Sequence, residues 1–115
     1  SITDLAVQMF HLVKNARVGK LQLEDVQGGT FTVDNTGALG LVVSVPIING
    51  SQAAILASEA IVKRPVVYEG SIQARYVMNL SLTFDHRVCD GADAGKFLAR
   101  IKGILESITG ETTVN

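Results

Sequence analysis

Ile72-Gln73-Ala74-Arg75-Tyr76-Val77-Met78-Asn79-Leu80-Ser81-Leu82-Thr83-Phe84 decides the fold class of this chain. Every even position is apolar, while the odd ones carry Gln73, Arg75, Asn79, Ser81 and Thr83, with Val77 the exception. A period of two is the period of a strand, whose alternate side chains share one face. The expectation is therefore one long strand with its even face buried. Beyond it the period changes. Ala94, Phe97, Leu98, Ile101, Ile104, Leu105 and Ile108 step by three and four, with Lys102 and Glu106 outside the stripe, which predicts a helix over 92–108. Gly95 and Gly103 each cost that helix about 1 kcal/mol relative to Ala, so close packing or bending is expected at both.

Upstream of the long strand, Glu69-Gly70-Ser71 reads as a hairpin loop after the Val66-Val67-Tyr68 run. Helix and buried strand compete over Ala53 to Val62, and the flanking turns favour strand. Val42 to Ile48 is apolar but interrupted by Pro46, which suits an edge strand or a bend. Thr30 to Asp34 alternates as a half-buried strand does, and Asn35-Thr36-Gly37 and Asn49-Gly50-Ser51 are turn chemistry. Leu21 to Gln27 is a short polar connection with room for one helical turn. Ile2, Leu5, Ala6, Met9 and Val13 form a helical stripe that predicts a helix over 1–18, with Gly19 as its stop. Helix over 1–18, mainly strands over 30–84 and helix over 92–108 make an α/β chain: a mixed sheet with flanking helices. The chain opens without a methionine, directly in helical periodicity, so an upstream part is expected. The tail from Thr109 to Asn115 is polar and expected to fray.

The chain has 115 residues, 47% of them hydrophobic, which is one domain or a piece of one. Eleven acidic residues against ten basic ones leave a net charge of -1. No basic stripe interleaved with aromatics is present, so neither nucleic acid nor a membrane is an expected partner. One cysteine excludes a disulfide scaffold and fits a reducing compartment. No apolar run approaches the roughly 18 residues of a membrane span, and no signal peptide is recognisable. A soluble intracellular domain is the expectation.

The residues able to carry chemistry converge on Asp85-His86-Arg87-Val88-Cys89-Asp90-Gly91, between the clearest strand and the clearest helix. Continuing the strand's alternation places His86 on the side of Leu82 and Phe84. An imidazole in such an apolar setting is pushed toward its neutral form, the form a general base needs. A satisfied core or interface histidine explains the same pattern. Asp90 stands just before the final helix with Asp93 three residues on, as an N-cap in a variant capping box does. Capping and a functional role are compatible. Cys89, three residues after His86, invites a Cys–His nucleophile, but nothing clearly orients the pair, and a structural thiol is the simpler reading. With only His11 as a further nitrogen ligand, a zinc site is not expected. Gly37-Ala38-Leu39-Gly40 lacks the dinucleotide fingerprint, and the Asn79-Leu80-Ser81 sequon lies inside the strongest strand.

The same seven residues resemble the DHRxxDG signature of the dihydrolipoamide acyltransferases, the core subunits of 2-oxo acid dehydrogenase complexes. Gly28-Gly29-Thr30-Phe31-Thr32-Val33, Pro46-Ile47-Ile48-Asn49, Gln52-Ala53-Ala54-Ile55-Leu56 and Arg64-Pro65-Val66-Val67 agree with that family in order and spacing, as does the Lys14 to Leu21 segment. The resemblance runs from Ile2 to about Ser107. It implies a chloramphenicol-acetyltransferase-like fold, present only in part, with residues 1–115 the C-terminal portion of a single catalytic domain. It also implies homotrimers that build a larger core, served by a lipoyl domain and the dehydrogenase components of the complex. The lipoyl group, on a separate domain, and coenzyme A would be the substrates, meeting at a subunit interface, with no metal. His86 would be the general base, and Asp90 would brace its loop. The acyl group is expected to be acetyl or branched-chain, with succinyl less favoured. The location is expected to be bacterial or archaeal cytoplasm or the mitochondrial matrix, the cytoplasm preferred.

Two departures qualify what the resemblance implies. The family usually places a serine in the strand after Gly-Gly-Thr-Phe-Thr to donate to the tetrahedral oxyanion, and this sequence has Asp34 there. An ionised carboxylate only accepts hydrogen bonds and repels developing negative charge. Either Asp34 is protonated, or Asn35, Thr32 or a water donates instead. The first half of the family's domain is also absent. A noncatalytic scaffold subunit of the same fold is the alternative to an enzyme; a stand-alone acetyltransferase acting on a small hydroxyl acceptor fits the quoted stretches less well.

Overall fold

The computed structural model describes residues 1–112. The chain divides into two compact units, Ser1–Gly29 with the stretch from Lys102 onward, and Thr30–Ile101.

In the first unit, helix α1 (Ile2–Arg17) starts on a capping box: the Ser1 hydroxyl accepts from the Asp4 amide at 3.1 Å. Lys14 and Arg17 lie in its last turn, where cations offset the dipole, and Gly19 follows at φ 68°. None of its residues is buried, and Ile2, Leu5, Met9 and Val13 of the apolar stripe are exposed. The connection that follows contains one helical turn, α2 (Leu23–Val26).

The second unit holds the sheet. Strand β1 (Thr32–Asn35) lies parallel to β2 (Ala54–Ser58), which lies antiparallel to β5 (Leu80–Phe84), in the order β1-β2-β5. A separate hairpin pairs β3 (Val62–Tyr68) with β4 (Ser71–Val77) across Glu69-Gly70, both at positive φ. The sheet is mixed, as expected. The single strand expected over 72–84 is instead β4 and β5, in different sheets. Its break has a physical cause. Between the Ser58–Leu80 and Val62–Val77 pairs, Glu59, Ala60 and Ile61 stand opposite only Met78 and Asn79. That extra residue bulges the ribbon and shifts the pairing by one. The expected buried even face holds only in part: Leu80, Leu82 and Phe84 are half-buried, whereas Ile72 and Tyr76 are exposed.

Val42 to Ile48 forms no ladder, although its exposure alternates residue by residue. The core is the centre of β2: Ile55, Leu56 and Ala57 are buried, with Ala94 of helix α3 (Gly91–Glu106). Helix α3 begins one residue before the expected start and ends two residues before the expected end. A Cβ on Gly95 or Gly103 would meet nothing within 4 Å, so the close packing expected at those glycines is not found. Of the frayed tail expected over 109–115, residues 113–115 lie outside the described residues. Among the described residues, no helix is long and apolar enough to cross a membrane.

Candidate active site

The ladder of β5 gives way at Asp85, whose amide donates to the Ala53 carbonyl at 2.8 Å. Its carbonyl then accepts from the Val88 and Cys89 amides, at 2.9 and 3.3 Å, and the chain turns. The Asp85 carboxylate reinforces this turn. It accepts from the Arg87 amide at 2.9 Å, from Nε at 3.0 Å and from Nη2 at 2.6 Å. Hydrogen bonds from the Arg87 side chain and amide hold the Asp85 pKa down, to about 2. A two-pronged guanidinium grip of this kind fixes geometry as well as charge.

His86 rides on that turn. The expectation that it continues the strand's apolar face is corrected: it is exposed, because Asp85 ends the strand one residue earlier. Its ring nevertheless lies 5.5 Å from the Phe84 ring, tilted by 40°. Among the described residues no hydrogen bond reaches either ring nitrogen, so the imidazole is open to a proton from outside.

Asp90 closes the turn as the cap of α3. Its Oδ1 accepts from the Asp93 amide at 2.9 Å and its carbonyl from the Ala94 amide at 3.1 Å. Among the described residues no reciprocal bond runs from the Asp90 amide to the Asp93 carboxylate, which pairs with Lys96 at 3.7 Å. Cys89 is half-buried in an apolar cleft of about 250 Å³ with Phe31, Ala54, Leu82, Phe84 and Phe97. Among the described residues no three His, Cys, Asp or Glu side chains gather as a cation site.

The three oxyanion-side candidates sit on β1. The Thr32 hydroxyl donates to Gln52 Oε1 at 2.6 Å, and Asn35 Oδ1 accepts from the Ala38 amide at 3.2 Å. Asp34 is exposed, with its carbonyl accepting from the Ser58 hydroxyl at 3.2 Å. Register decides what these residues can share with His86. Asp34 is level with Ala57 and hence with Ser81, whereas His86 lies beyond Phe84, at the other end of β5. At about 3.4 Å per residue, that separates them by roughly 15 Å within one chain. His86, Asp90 and the Asp85–Arg87 pair are brought together; Asp34 and Asn35 are not brought to them.

One residue escaped the sequence reading. Glu59 is buried at 2% exposure. Its carboxylate accepts from the Thr36 hydroxyl, from the Ser44 amide at 2.9 Å, and from the Ser44 and Ser81 hydroxyls at 2.7 and 3.1 Å. Led by the Thr36 and Ser44 hydroxyls, these bonds outweigh burial and lower its pKa. The available signal was a lone carboxylate within the apolar run from Ala53 to Val62.

A mixed sheet that ends in a braced, histidine-bearing turn and a capped helix defines part of an α/β catalytic core. The chain belongs to the 2-oxoacid dehydrogenases acyltransferase (catalytic domain) family, whose model matches residues 1–111. It is 54% identical over 115 residues to the lipoamide acyltransferase component of the branched-chain alpha-keto acid dehydrogenase complex of Bacillus subtilis, covering 99% of this chain and 27% of that protein. It is 43% identical over 106 residues to the mitochondrial succinyltransferase component of the 2-oxoglutarate dehydrogenase complex of Saccharomyces cerevisiae, covering 92% of this chain and 23% of that one. A probable dihydrolipoamide acetyltransferase of Listeria monocytogenes superposes with a TM-score of 0.95 at 50% identity, over 99% of this chain and 49% of that one. The dihydrolipoamide acetyltransferase of Azotobacter vinelandii superposes at 0.86 with 35% identity, over 93% and 44%. A serine, a histidine and an asparagine of that enzyme were investigated for a role in its catalytic mechanism; their spacing along its chain is that of Asp34, His86 and Asp90 here. This chain thus spans about a quarter of the curated relatives and about half of the solved chains.

Proposed function

We propose that residues 1–115 are the C-terminal portion of a single catalytic domain that moves an acyl group between dihydrolipoamide and coenzyme A, with His86 as general base. The observation that carries this reading is the turn itself: an exposed imidazole held between the Asp85–Arg87 grip and the Asp90 cap. In the forward direction the imidazole takes the proton of the coenzyme A thiol, and the sulfur bonds to the thioester carbonyl carbon. A tetrahedral oxyanion forms. Its collapse breaks the original C–S bond, and the departing dihydrolipoamide sulfur recovers the proton from the imidazolium. Base catalysis of this kind contributes roughly 10²–10⁴-fold. Asp90 holds the turn and exchanges no proton.

The separation of Asp34 and Asn35 from His86 supports a site shared between copies, one supplying the histidine and its neighbour the oxyanion side; Thr32, level with Thr83, lies at the His86 end of the sheet. A homotrimer meets that need, assembled into a larger core with lipoyl domains and dehydrogenase components as partners. The acyl group is proposed as acetyl or branched-chain, the Bacillus subtilis relative supporting the latter. The location is proposed as the cytoplasm, with the mitochondrial matrix as the alternative.

The test is acyl transfer by the full-length protein and its His86→Ala variant. Loss of at least about 10²-fold with an unchanged fold is expected. Retention of more than about a tenth of the turnover would remove His86 from the base role. Asp34 favours a second reading, a noncatalytic core subunit, because a carboxylate stands where a donor is wanted. Intact assembly with no turnover in the unaltered protein would establish that reading instead.

A further inference from the structure

We infer that Glu59 is a positioning residue for acyl transfer, its buried carboxylate fixing the end of β1 that carries Asp34 and Asn35. The inference rests on the acyl-transfer reading above, and its first observation is the shape of the hydrogen-bond set. Thr36 and Ser44 begin and end one loop, and a single carboxylate accepts from both, while Ser81 joins from β5. Every donor is neutral, and the ion pairs of the described residues leave Glu59 out. A buried carboxylate without a cation is costly unless its lone pairs are filled, as they are here. The loop therefore closes in one arrangement, with Glu59 at its centre.

The backbone enforces the same arrangement. The Ala60 amide donates to the Leu41 carbonyl at 2.7 Å, and the Glu59 amide to the Asn79 carbonyl at 3.1 Å. The Asn79 side chain donates to the Val42 carbonyl at 2.7 Å. Gly37 lies so close that a Cβ there would stand 2.5 Å from the carbonyl carbon and oxygen of Glu59. Glycine is required at that position because the space is full. Strand β1 is a four-residue edge whose only ladder partner among the described residues is β2. Its final residues, Asp34 and Asn35, run directly into Thr36. Ladder bonds hold this end on one side; the Thr36–Glu59 bond holds it from beyond. Misplacement of a reacting group by about 1 Å costs up to roughly 10² in rate, which sets the scale of the effect.

Glu59→Gln and Glu59→Asp in the full-length protein test the inference, alone and combined with Asp34→Ser. Gln keeps the volume and one acceptor oxygen but presents an amide NH₂ to Thr36, whereas Asp retains the charge and withdraws it. The expected result for Glu59→Gln is a melting temperature close to that of the unaltered protein, a kcat lower by about tenfold, and unchanged KM for coenzyme A and for the acylated dihydrolipoamide. Glu59→Asp should lose more, about 10²-fold. In the Asp34→Ser background the Glu59→Gln loss should shrink, since both changes act on one segment. An unchanged kcat overturns the inference, as does a loss that multiplies independently of Asp34→Ser or merely follows melting temperature. Failure of the parent reading is separate: there, His86→Ala and the unaltered protein turn over alike, whatever residue stands at position 59.

Discussion

Strands β2 and β5 of the three-stranded sheet and the β3–β4 hairpin are cut from the same two stretches of chain, 54–68 and 71–84, yet their apolar residues meet opposite fates. In the sheet Ala57 has no exposed surface, and Ile55 and Leu56 are buried beside it. In the hairpin Val67, Ile72 and Tyr76 are 76%, 79% and 73% exposed. Composition does not separate the two regions; neighbours do. Strand β2 has a ladder on both edges, and the Thr36–Ser44 loop is tied down beside it through Glu59. The hairpin has only its own two strands, and a two-stranded ribbon is marginal in water without something packed on it. The contrast teaches that alternation marks which side chains share a face, and leaves open whether anything covers that face.

The strongest way to break this comparison is to ask whether the uncovered surfaces need partners. The hairpin and the α1 stripe each expose several large apolar side chains, and such surfaces recruit partners or aggregate. The isolated 115-residue chain is expected to self-associate and to show no acyl transfer, as measured by sedimentation together with a transfer assay. A well-behaved monomer with full turnover would show that the bare surfaces need no cover.

Paired truncations sharpen the same contrast. Leu56→Ala should destabilise the chain by about 2–5 kcal/mol in urea unfolding, as buried leucines do. Ile72→Ala should stay within about 0.5 kcal/mol, as surface substitutions do. Equal losses at the two positions would mean that the hairpin is covered in solution.

Smaller effects belong to the turn that joins the sheet to α3. Asp90→Ala removes the cap and should cost about 0.5–2 kcal/mol, with Asp90→Asn restoring most of it. An Asp90→Ala protein as stable as the original would deny the cap any weight. The last effect concerns pH. The Asp85 pKa is lowered from 3.8 to about 2, so folding favours its ionised form. Its contribution is fully present above the unfolded value and is lost as pH falls through the folded value, between about pH 4 and pH 2. Carboxyl titration by NMR should place its midpoint near 2, and Arg87→Ala should return it toward 3.8. An unmoved midpoint would dissolve the Asp85–Arg87 grip.

Much of this was legible in the residues. Gly19, Glu69-Gly70 and Asp90 each announce a local event, because capping and turns depend on a few adjacent residues. The DHRxxDG-like run is expected between the clearest strand and the clearest helix, and there it lies, with His86 on the turn. The break at Asn79 was not legible, since a bulge depends on how many residues stand opposite, and the opposing strand is distant in sequence. For the same reason the exposure of His86 was misjudged: alternation was continued past Asp85, where a side chain two residues ahead ends the strand.

The sequence by itself determined the two helices, the strand periods, the turns and the histidine motif, all of which are set by neighbours within a few positions. Only the tertiary structure decided that 72–84 serves two sheets, that Glu59 rather than a glycine-rich run organises the 36–44 loop, and that Asp34 stands at the far end of β5 from His86. Those outcomes depend on strand register and on burial. Both are agreements between segments far apart in the chain, and no local pattern of residues contains them.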